Sequence, residues 1–252
     1  YNSKGDEINN AMPGEFSQKD SIQSTKEVTK INISNESPEQ TTYINKENEH
    51  SKEEILSKKV EERLAKMTLE EKVAQLFFVT PEALTGIAQV TRAAEQSKNS
   101  FNEYPVGGLV YFSENFESPE QTKQMLKNMQ KIANEKSSFP VFLAIDEEGG
   151  TVSRLQKKAG FDIPKTPTMK KLSEENDVEK VRQVGFEIGR YLNEYGFNLN
   201  FAPDADVLTE PKNKVIGDRS FGKDPYLVSD MASAYIQGLN EAGGLGCYKH
   251  FP

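Results

Sequence analysis

Residues 140–146 read PVFLAID, a run that is apolar throughout and ends in an acid. Similar runs occur at 106–112 (VGGLVYF), 197–206 (FNLNFAPDAD) and 245–250 (LGCYKH). Strands that are apolar along their whole length are buried on both faces, as parallel strands covered by helices are. With a first strand near 74–79, these runs predict about five parallel strands.

Helices are predicted between the strands. Thr68 and Glu71 form a capping-box pattern at the start of one helix. Proline follows a capping residue in Ser118-Pro119 and again in Asp224-Pro225, which indicates two further helix starts. Another helix is expected from Asp177 to a C-terminal cap at Gly196. The alternation of strand and helix predicts an α/β fold.

The composition limits the class of protein. The 252 residues carry a formal net charge of -8, which argues against a nucleic-acid groove lined with Lys and Arg. No apolar stretch approaches the roughly 18 residues that a membrane span needs. The single cysteine, Cys247, lies in an apolar run, so we expect a buried thiol without a disulfide partner.

The first 50 residues differ from the rest of the chain. Only 11 of them are hydrophobic, and they show no helical or strand period. Such a segment buries too little apolar surface to offset its ordering entropy, so residues 1–50 are predicted to be a disordered tether. The folded domain is expected over 51–252. A polar tether favours an exported, cell-surface protein, and a cytoplasmic protein is the alternative.

Polar residues follow the predicted strands. Asp146, Asp206 and the Lys249-His250 pair all lie at carboxyl ends, where barrel enzymes and open α/β sheets both place ligand sites. In a barrel these residues would surround a single pocket, whereas in an open sheet they would cluster at a crevice. No glycine-rich dinucleotide or phosphate loop follows any strand, which counts against an open-sheet enzyme with a nucleotide or phosphate ligand.

Five segments together resemble the N-terminal barrel domain of glycoside hydrolase family 3: VGGLVYFSENFESPEQ, AIDEEGGTVSRL, NLNFAPDADV, IGDRSFGKDP and YKHFP. The resemblance covers about residues 52–252. It implies a (β/α)₈ TIM-barrel fold, truncated here after about five βα units. Within the family, the D-x-E-G-G-x-V-x-R and R-S-F patterns are similar to those of bacterial β-N-acetylglucosaminidases. The implied activity is hydrolysis of terminal β-linked N-acetylglucosamine from cell-wall or related glycans by a retaining mechanism, as in peptidoglycan turnover.

The resemblance also implies a set of sugar ligands. Asp146 would accept hydrogen bonds from two sugar hydroxyls, as an ionised carboxylate can. Arg154 and Arg219 match arginines of the sugar site, and Lys249 and His250 match the pair that binds the glycosyl unit. The expected partner is a β-N-acetylglucosaminide, with muropeptides as one candidate. No metal and no cofactor is implied.

Four other acids receive smaller roles from the sequence. Glu147 and Glu148 are adjacent, whereas glycosidases place their two acting carboxyl groups on opposite sides of the scissile bond, about 5 to 9 Å apart. We therefore expect Glu147 and Glu148 to be turn and support residues. Asp206 is expected to be structural, and Asp204 receives no clear role.

The sequence departs from the family pattern at its end. In the family, the general acid–base pair and the nucleophilic aspartate follow the segment that ends here at Pro252. Five strands of eight would also leave an apolar interior and two sheet edges exposed. We therefore expect a fragment that is inactive and poorly stable alone, with the missing C-terminal half of the barrel as a partner.

Two other functions remain open at this point. A family 3 β-glucosidase or β-xylosidase would differ only around the second carbon of the sugar. A non-hydrolytic sugar-binding protein would keep the binding residues without turnover.

Overall fold

A computed structural model describes residues 52–137 and 139–251 of the chain. The chain divides into two units, residues 1–59 and 60–252. The described part of the first unit, 52–59, is helical and belongs to helix α1 (52–64). The predicted tether at 1–50 lies outside the described residues.

Within residues 52–137 and 139–251, five short strands form one parallel sheet. They are β1 (Phe78–Val79), β2 (Gly108–Tyr111), β3 (Phe142–Ile145), β4 (Leu199–Asn200) and β5 (Leu245–Gly246).

Helices connect the strands. They are α2 (Leu69–Ala74), α3 (Pro81–Thr85), α4 (Glu95–Glu103), α5 (Pro119–Ser137), α6 (Met169–Glu174), α7 (Val178–Tyr195) and α8 (Pro225–Glu241). None of the helices within 52–137 and 139–251 combines the length and apolar character that a bilayer crossing requires.

The helix ends follow the local sequence signals. Thr68 and Glu71 exchange two side chain to backbone hydrogen bonds of 3.2 Å at the start of α2. Asp177 accepts from the Lys180 N–H at the start of α7, and Gly196 ends that helix with a φ of 104°, a conformation that favours glycine. These caps confirm the predictions made from single residues.

The strand order decides the way the sheet is wound. The strands lie in the order β1-β2-β3-β4-β5, and each pairs in parallel with the next along the chain. A doubly wound sheet reverses its order at a switch point, where its ligand crevice lies. No reversal occurs in the described sheet, so the chain winds in one direction as the wall of a barrel does.

The strands are shorter than the apolar runs suggested. Helix α2 extends to Ala74, so β1 begins only at Phe78. Strand β4 ends at Asn200, shortly before Pro203, which has no N–H to donate to a neighbour. Backbone hydrogen bonds to the last strand nevertheless continue beyond Asn200: the Cys247 N–H donates to Ala202 O at 3.0 Å, the Lys249 N–H to Pro203 O at 3.3 Å, and the Ala205 N–H to Lys249 O at 2.7 Å.

The prediction of a buried Cys247 was wrong, because its side chain is exposed. It directly follows β5, which has a paired neighbour on only one side within the described sheet. An apolar run therefore did not indicate burial at this edge.

Three aromatic rings contact one another on the sheet. The Phe78 ring stacks on the Phe142 ring at 5.7 Å and meets the edge of Phe201 at the same distance. Gly108 leaves the space that Phe78 occupies, since a Cβ there would lie 2.1 Å from the ring. Phe78 and Phe142 remain 38% and 41% exposed, so this apolar face is partly open to water.

Candidate functional site

All five residues predicted to form a site lie at the carboxyl ends of the strands or in the loops that follow them. Asp146 directly follows β3, and Lys249 and His250 follow β5. Arg154 lies in the loop after β3, and Arg219 lies in a short 3-10 turn between β4 and α8. The structure brings these residues into one connected set of ion pairs and hydrogen bonds.

Asp146 is held between two cations. Lys249 Nζ lies 2.7 Å from its Oδ1, and Arg154 Nη2 lies 3.7 Å from its Oδ2. One fifth of the Asp146 side chain is exposed. The guanidinium of Arg154 also lies 5.4 Å from the centre of the Phe112 ring, an aromatic contact that fixes its plane. Asp146 is therefore an oriented carboxylate that solvent can reach.

A tight turn returns the chain from Asp146 to Arg154. Gly149 and Gly150 adopt φ angles of 95° and 54°, which favour glycine. A Cβ at Gly150 would lie 2.5 Å from the Cα of Thr168, so this position also needs the space. The turn places Arg154 within reach of the carboxylate eight residues before it.

Glu147 holds the returning strand of this turn. Its side chain is buried and accepts the backbone N–H groups of Arg154, Leu155 and Gln156 and the Tyr191 hydroxyl, at 2.5 to 3.2 Å. Burial raises the pKa of Glu147, and the hydrogen bonds from the three backbone groups offset that only in part. The expected support role of Glu147 agrees with this position.

Glu148 occupies the centre of the ion pairs. Arg219 donates from Nε and Nη2 to its two carboxylate oxygens at 2.9 and 2.8 Å, and Lys249 Nζ lies 2.5 Å from Oε1. Only 1% of the Glu148 side chain is exposed. The hydrogen bonds that Arg219 donates to Glu148 raise the pKa of Arg219. The sequence predicted a turn and support residue, and in the structure Glu148 is a buried acid ion-paired with two predicted ligands.

His250 connects the same arginine to a second acid. Its Nδ1 lies 2.6 Å from Asp206 Oδ2, and its Nε2 lies 3.2 Å from Arg219 Nη2. Burial disfavours ionisation of Asp206, but the hydrogen bonds from His250 outweigh it and lower the pKa of Asp206. Asp206, expected to be structural, thus contacts a predicted ligand directly.

Asp204 lies next to the pair formed by Asp206 and His250, and its side chain is fully buried. Its Oδ1 accepts the Asp206 N–H at 2.9 Å, and Arg219 Nε lies 3.4 Å from its Oδ2. Burial raises the pKa of Asp204 to about 6. Arg219 therefore pairs with two acids, Glu148 and Asp204, that lie outside its own turn.

Three of these groups could in principle hold a cation. Ligand atoms of Asp204, Asp206 and His250 lie within 4.8 Å of one another. However, Arg219 approaches both Asp204 and His250, and a second positive charge at this point would be repelled. The arginine already supplies the positive charge that these carboxylates require.

The ends of the strands thus present hydrogen-bond acceptors and donors side by side. Glu148 and Asp204 are buried, while Asp146, Arg154 and His250 have side chains that are 20%, 32% and 46% exposed. Such a mixture suits a neutral ligand with many hydroxyl groups, which needs both kinds of partner.

Residues 68–252 match the family model described as the glycosyl hydrolase family 3 N-terminal domain. The chain belongs to glycosyl hydrolase family 3. Its fold is therefore of the (β/α)₈-barrel type that family 3 N-terminal domains have, of which the chain covers part.

Family 3 relatives share this region. Beta-hexosaminidase LpqI of Mycobacterium tuberculosis is 43% identical over 114 residues, which are 45% of this chain and 29% of that protein. A family 3 beta-N-acetylglucosaminidase from Paenibacillus sp. str. FPU-7 has a similar fold, with a TM-score of 0.66 and 32% identity over 74% of this chain and 33% of that one.

NagZ from Neisseria gonorrhoeae, solved in complex with N-trifluoroacetyl-D-glucosamine, has a TM-score of 0.58 and 28% identity over 69% of this chain and 49% of that one. The chain spans less than half the length of each of these relatives.

Sequence reasoning missed the importance of Glu148 in this family 3 domain. A signal for it was present, because Arg154, Arg219 and Lys249 were all assigned to the site while Asp146 was the only acid assigned with them. Three cations at partly buried positions require compensating carboxylates. A charge balance of the predicted site would have pointed to the neighbouring acids.

Proposed function

We propose that this site binds the terminal N-acetylglucosamine of a β-linked glycan, as the sugar-binding part of a retaining β-N-acetylhexosaminidase. The observation that carries the proposal is the position of Asp146, a partly exposed carboxylate whose two oxygens are oriented by Lys249 and Arg154. Each oxygen keeps lone-pair directions that can accept a sugar hydroxyl. The names of the family 3 relatives support the substrate class.

The exposed groups of the site are the ones proposed to meet the sugar first. Asp146 accepts hydroxyl protons, and Arg154 donates to ring hydroxyls beside it. His250 lies next to Arg219, and 46% of its side chain is exposed. The side chains of Lys249 and Arg219 are only 14% and 12% exposed. They are proposed to contribute positive charge and one or two N–H donors from the buried side of the site.

The four acids of the site are proposed to bind rather than to carry out the chemistry. A retaining glycosidase needs one carboxylate free to attack the sugar and an acid that protonates the leaving group. Asp146, Glu148, Asp204 and Asp206 are each engaged with a cation or with His250. We therefore propose that the 252-residue chain binds without turnover, and that the acting groups come from the remainder of the barrel.

Titration calorimetry of N-acetylglucosamine into the 252-residue chain tests the binding proposal. Asp146→Asn should weaken binding at least tenfold, because a neutral amide replaces a charge-assisted acceptor. Asp162→Asn, an exposed acid outside the site's ion pairs, is the matched control and should bind as the wild type does. A folded chain with no measurable affinity for the sugar refutes the proposal.

Two parallel measurements separate the alternatives. Glucose that binds as tightly as N-acetylglucosamine favours a β-glucosidase or β-xylosidase over a hexosaminidase. Release of the aryl group from an aryl β-N-acetylglucosaminide contradicts binding without turnover. Circular dichroism on the same samples establishes that each chain is folded.

Export is a separate proposal, and it rests on the composition of residues 1–50. We propose that the protein acts on cell-wall glycan outside the cytoplasm. Fractionation of the source cells with an antibody against the chain tests this, and a signal confined to the cytoplasm contradicts it.

A further inference from the structure

Glu148 has contacts that a turn residue does not need. It is buried, yet both of its oxygens are used by the guanidinium of Arg219, and Lys249 Nζ touches one of them. Two parallel N–H to oxygen bonds fix the plane of a guanidinium as well as its position. Because Glu148 is shielded from solvent, its effect on any ligand must pass through these two cations.

The Arg219 guanidinium in turn determines where His250 carries its proton. All of its N–H groups donate, so the His250 Nε2 that lies 3.2 Å from Nη2 must accept and carries no proton. The proton of the neutral ring then belongs on Nδ1, which lies 2.6 Å from Asp206 Oδ2 and donates to it. A ring protonated at Nε2 would direct its N–H at another donor.

We propose that Glu148 is a positioning residue that fixes Arg219 and, through Arg219, holds His250 in the Nδ1–H tautomer, with the Nε2 lone pair accepting from Arg219. Arg219 and the ring of His250 are then held as one fixed unit beside the position of a sugar hydroxyl. Only this last step, the contact with a sugar, rests on the function proposed above.

The tautomer of His250 can be measured directly. The chain contains two histidines, so ¹⁵N-detected ring spectra of the labelled 252-residue chain are simple, and a His50→Asn variant assigns them. The wild type should show a pyridine-type Nε2 and a pyrrole-type Nδ1. A wild-type ring protonated at Nε2 overturns the proposal.

Glu148→Gln is the decisive variant. A glutamine cannot accept both donors of the fork, so the plane of the Arg219 guanidinium is no longer fixed by Glu148 and His250 should exchange between tautomers. Glu147→Gln is the matched control, since Glu147 is the adjacent buried acid but bonds to neither Arg219 nor Lys249. A merely structural role for Glu148 would lower stability in both variants and leave the tautomer unchanged.

Two further variants keep the test decisive if Glu148→Gln does not fold. Arg219→Lys retains the charge but loses the fork, and Asp206→Asn removes the carboxylate that accepts from Nδ1. Both should shift the tautomer. A folded Arg219→Lys chain with the wild-type tautomer overturns the proposal.

Sugar binding supplies the second measurement. Folded Glu148→Gln should bind N-acetylglucosamine at least tenfold more weakly than the wild type, and unchanged affinity overturns the positioning role. If the wild-type chain binds no sugar, the proposed function fails, and the tautomer spectra alone then decide the role of Glu148.

Discussion

The buried acceptor Glu147 offers the sharpest test of how this loop is built. Replacement by alanine removes the partner of the Leu155 and Gln156 N–H groups and of the Tyr191 hydroxyl, all in buried residues. Each buried donor left without a partner costs about 1–3 kcal/mol. Alanine also removes the cost of burying the Glu147 carboxylate, which offsets part of this loss. We therefore expect Glu147→Ala to lower the free energy of unfolding by about 3 kcal/mol or more.

Urea unfolding followed by circular dichroism measures this loss. Glu147→Gln keeps one carbonyl oxygen for the Leu155 N–H and should lose less, about 1–2 kcal/mol. Glu114→Ala changes an exposed acid that follows the neighbouring strand β2, and it should stay within about 0.5 kcal/mol of the wild type. A Glu147→Ala chain as stable as this control would refute the view that the carboxylate holds the loop.

Three further outcomes follow from other parts of the structure. Gly238→Ala should lower the free energy of unfolding by about 2–3 kcal/mol, because the added Cβ would lie 1.9 Å from Arg182 O and 2.6 Å from Phe186 N. This loss should exceed the gain from the better helix propensity of alanine. A raised melting temperature would contradict this expectation. Burial raises the pKa of Asp204 to about 6, so its ionisation should reduce stability as pH rises from about 4 to about 6, by at most about 3 kcal/mol. Unfolding curves of Asp204→Asn should lack that fall, and identical pH profiles would contradict the assignment. Cys247 should react with a disulfide reagent in the folded chain, and protection until unfolding would show that it is covered.

Local signals predicted the helices well. The caps at Thr68, Asp177 and Gly196 depend on a few adjacent residues, and each appears where the sequence indicates it. Strand ends were less predictable, because a residue is in a strand only where a neighbour pairs with it. The run at 197–206 shows this, since only Leu199 and Asn200 pair as a strand.

The members of the site were predictable, but their connections were not. The contacts of Glu148 with Arg219 and of Asp146 with Lys249 join residues 71 and 103 positions apart. No local pattern carries that information, and the family resemblance names ligands without the acids that orient them. This is why Glu148 and Asp206 were predicted to have only supporting or structural roles. Their contacts with the predicted ligands became visible only in the folded structure.

The sequential strand order also affects how the chain can be made. Each strand pairs with the strand that preceded it during synthesis, so every new βα unit finds its docking edge already present. Contacts of short sequence separation cost little loop-closure entropy and form early. The sheet can therefore grow from β1 to β5 as the ribosome delivers it, and the set of ion pairs around Glu148 is complete only after Lys249 has emerged.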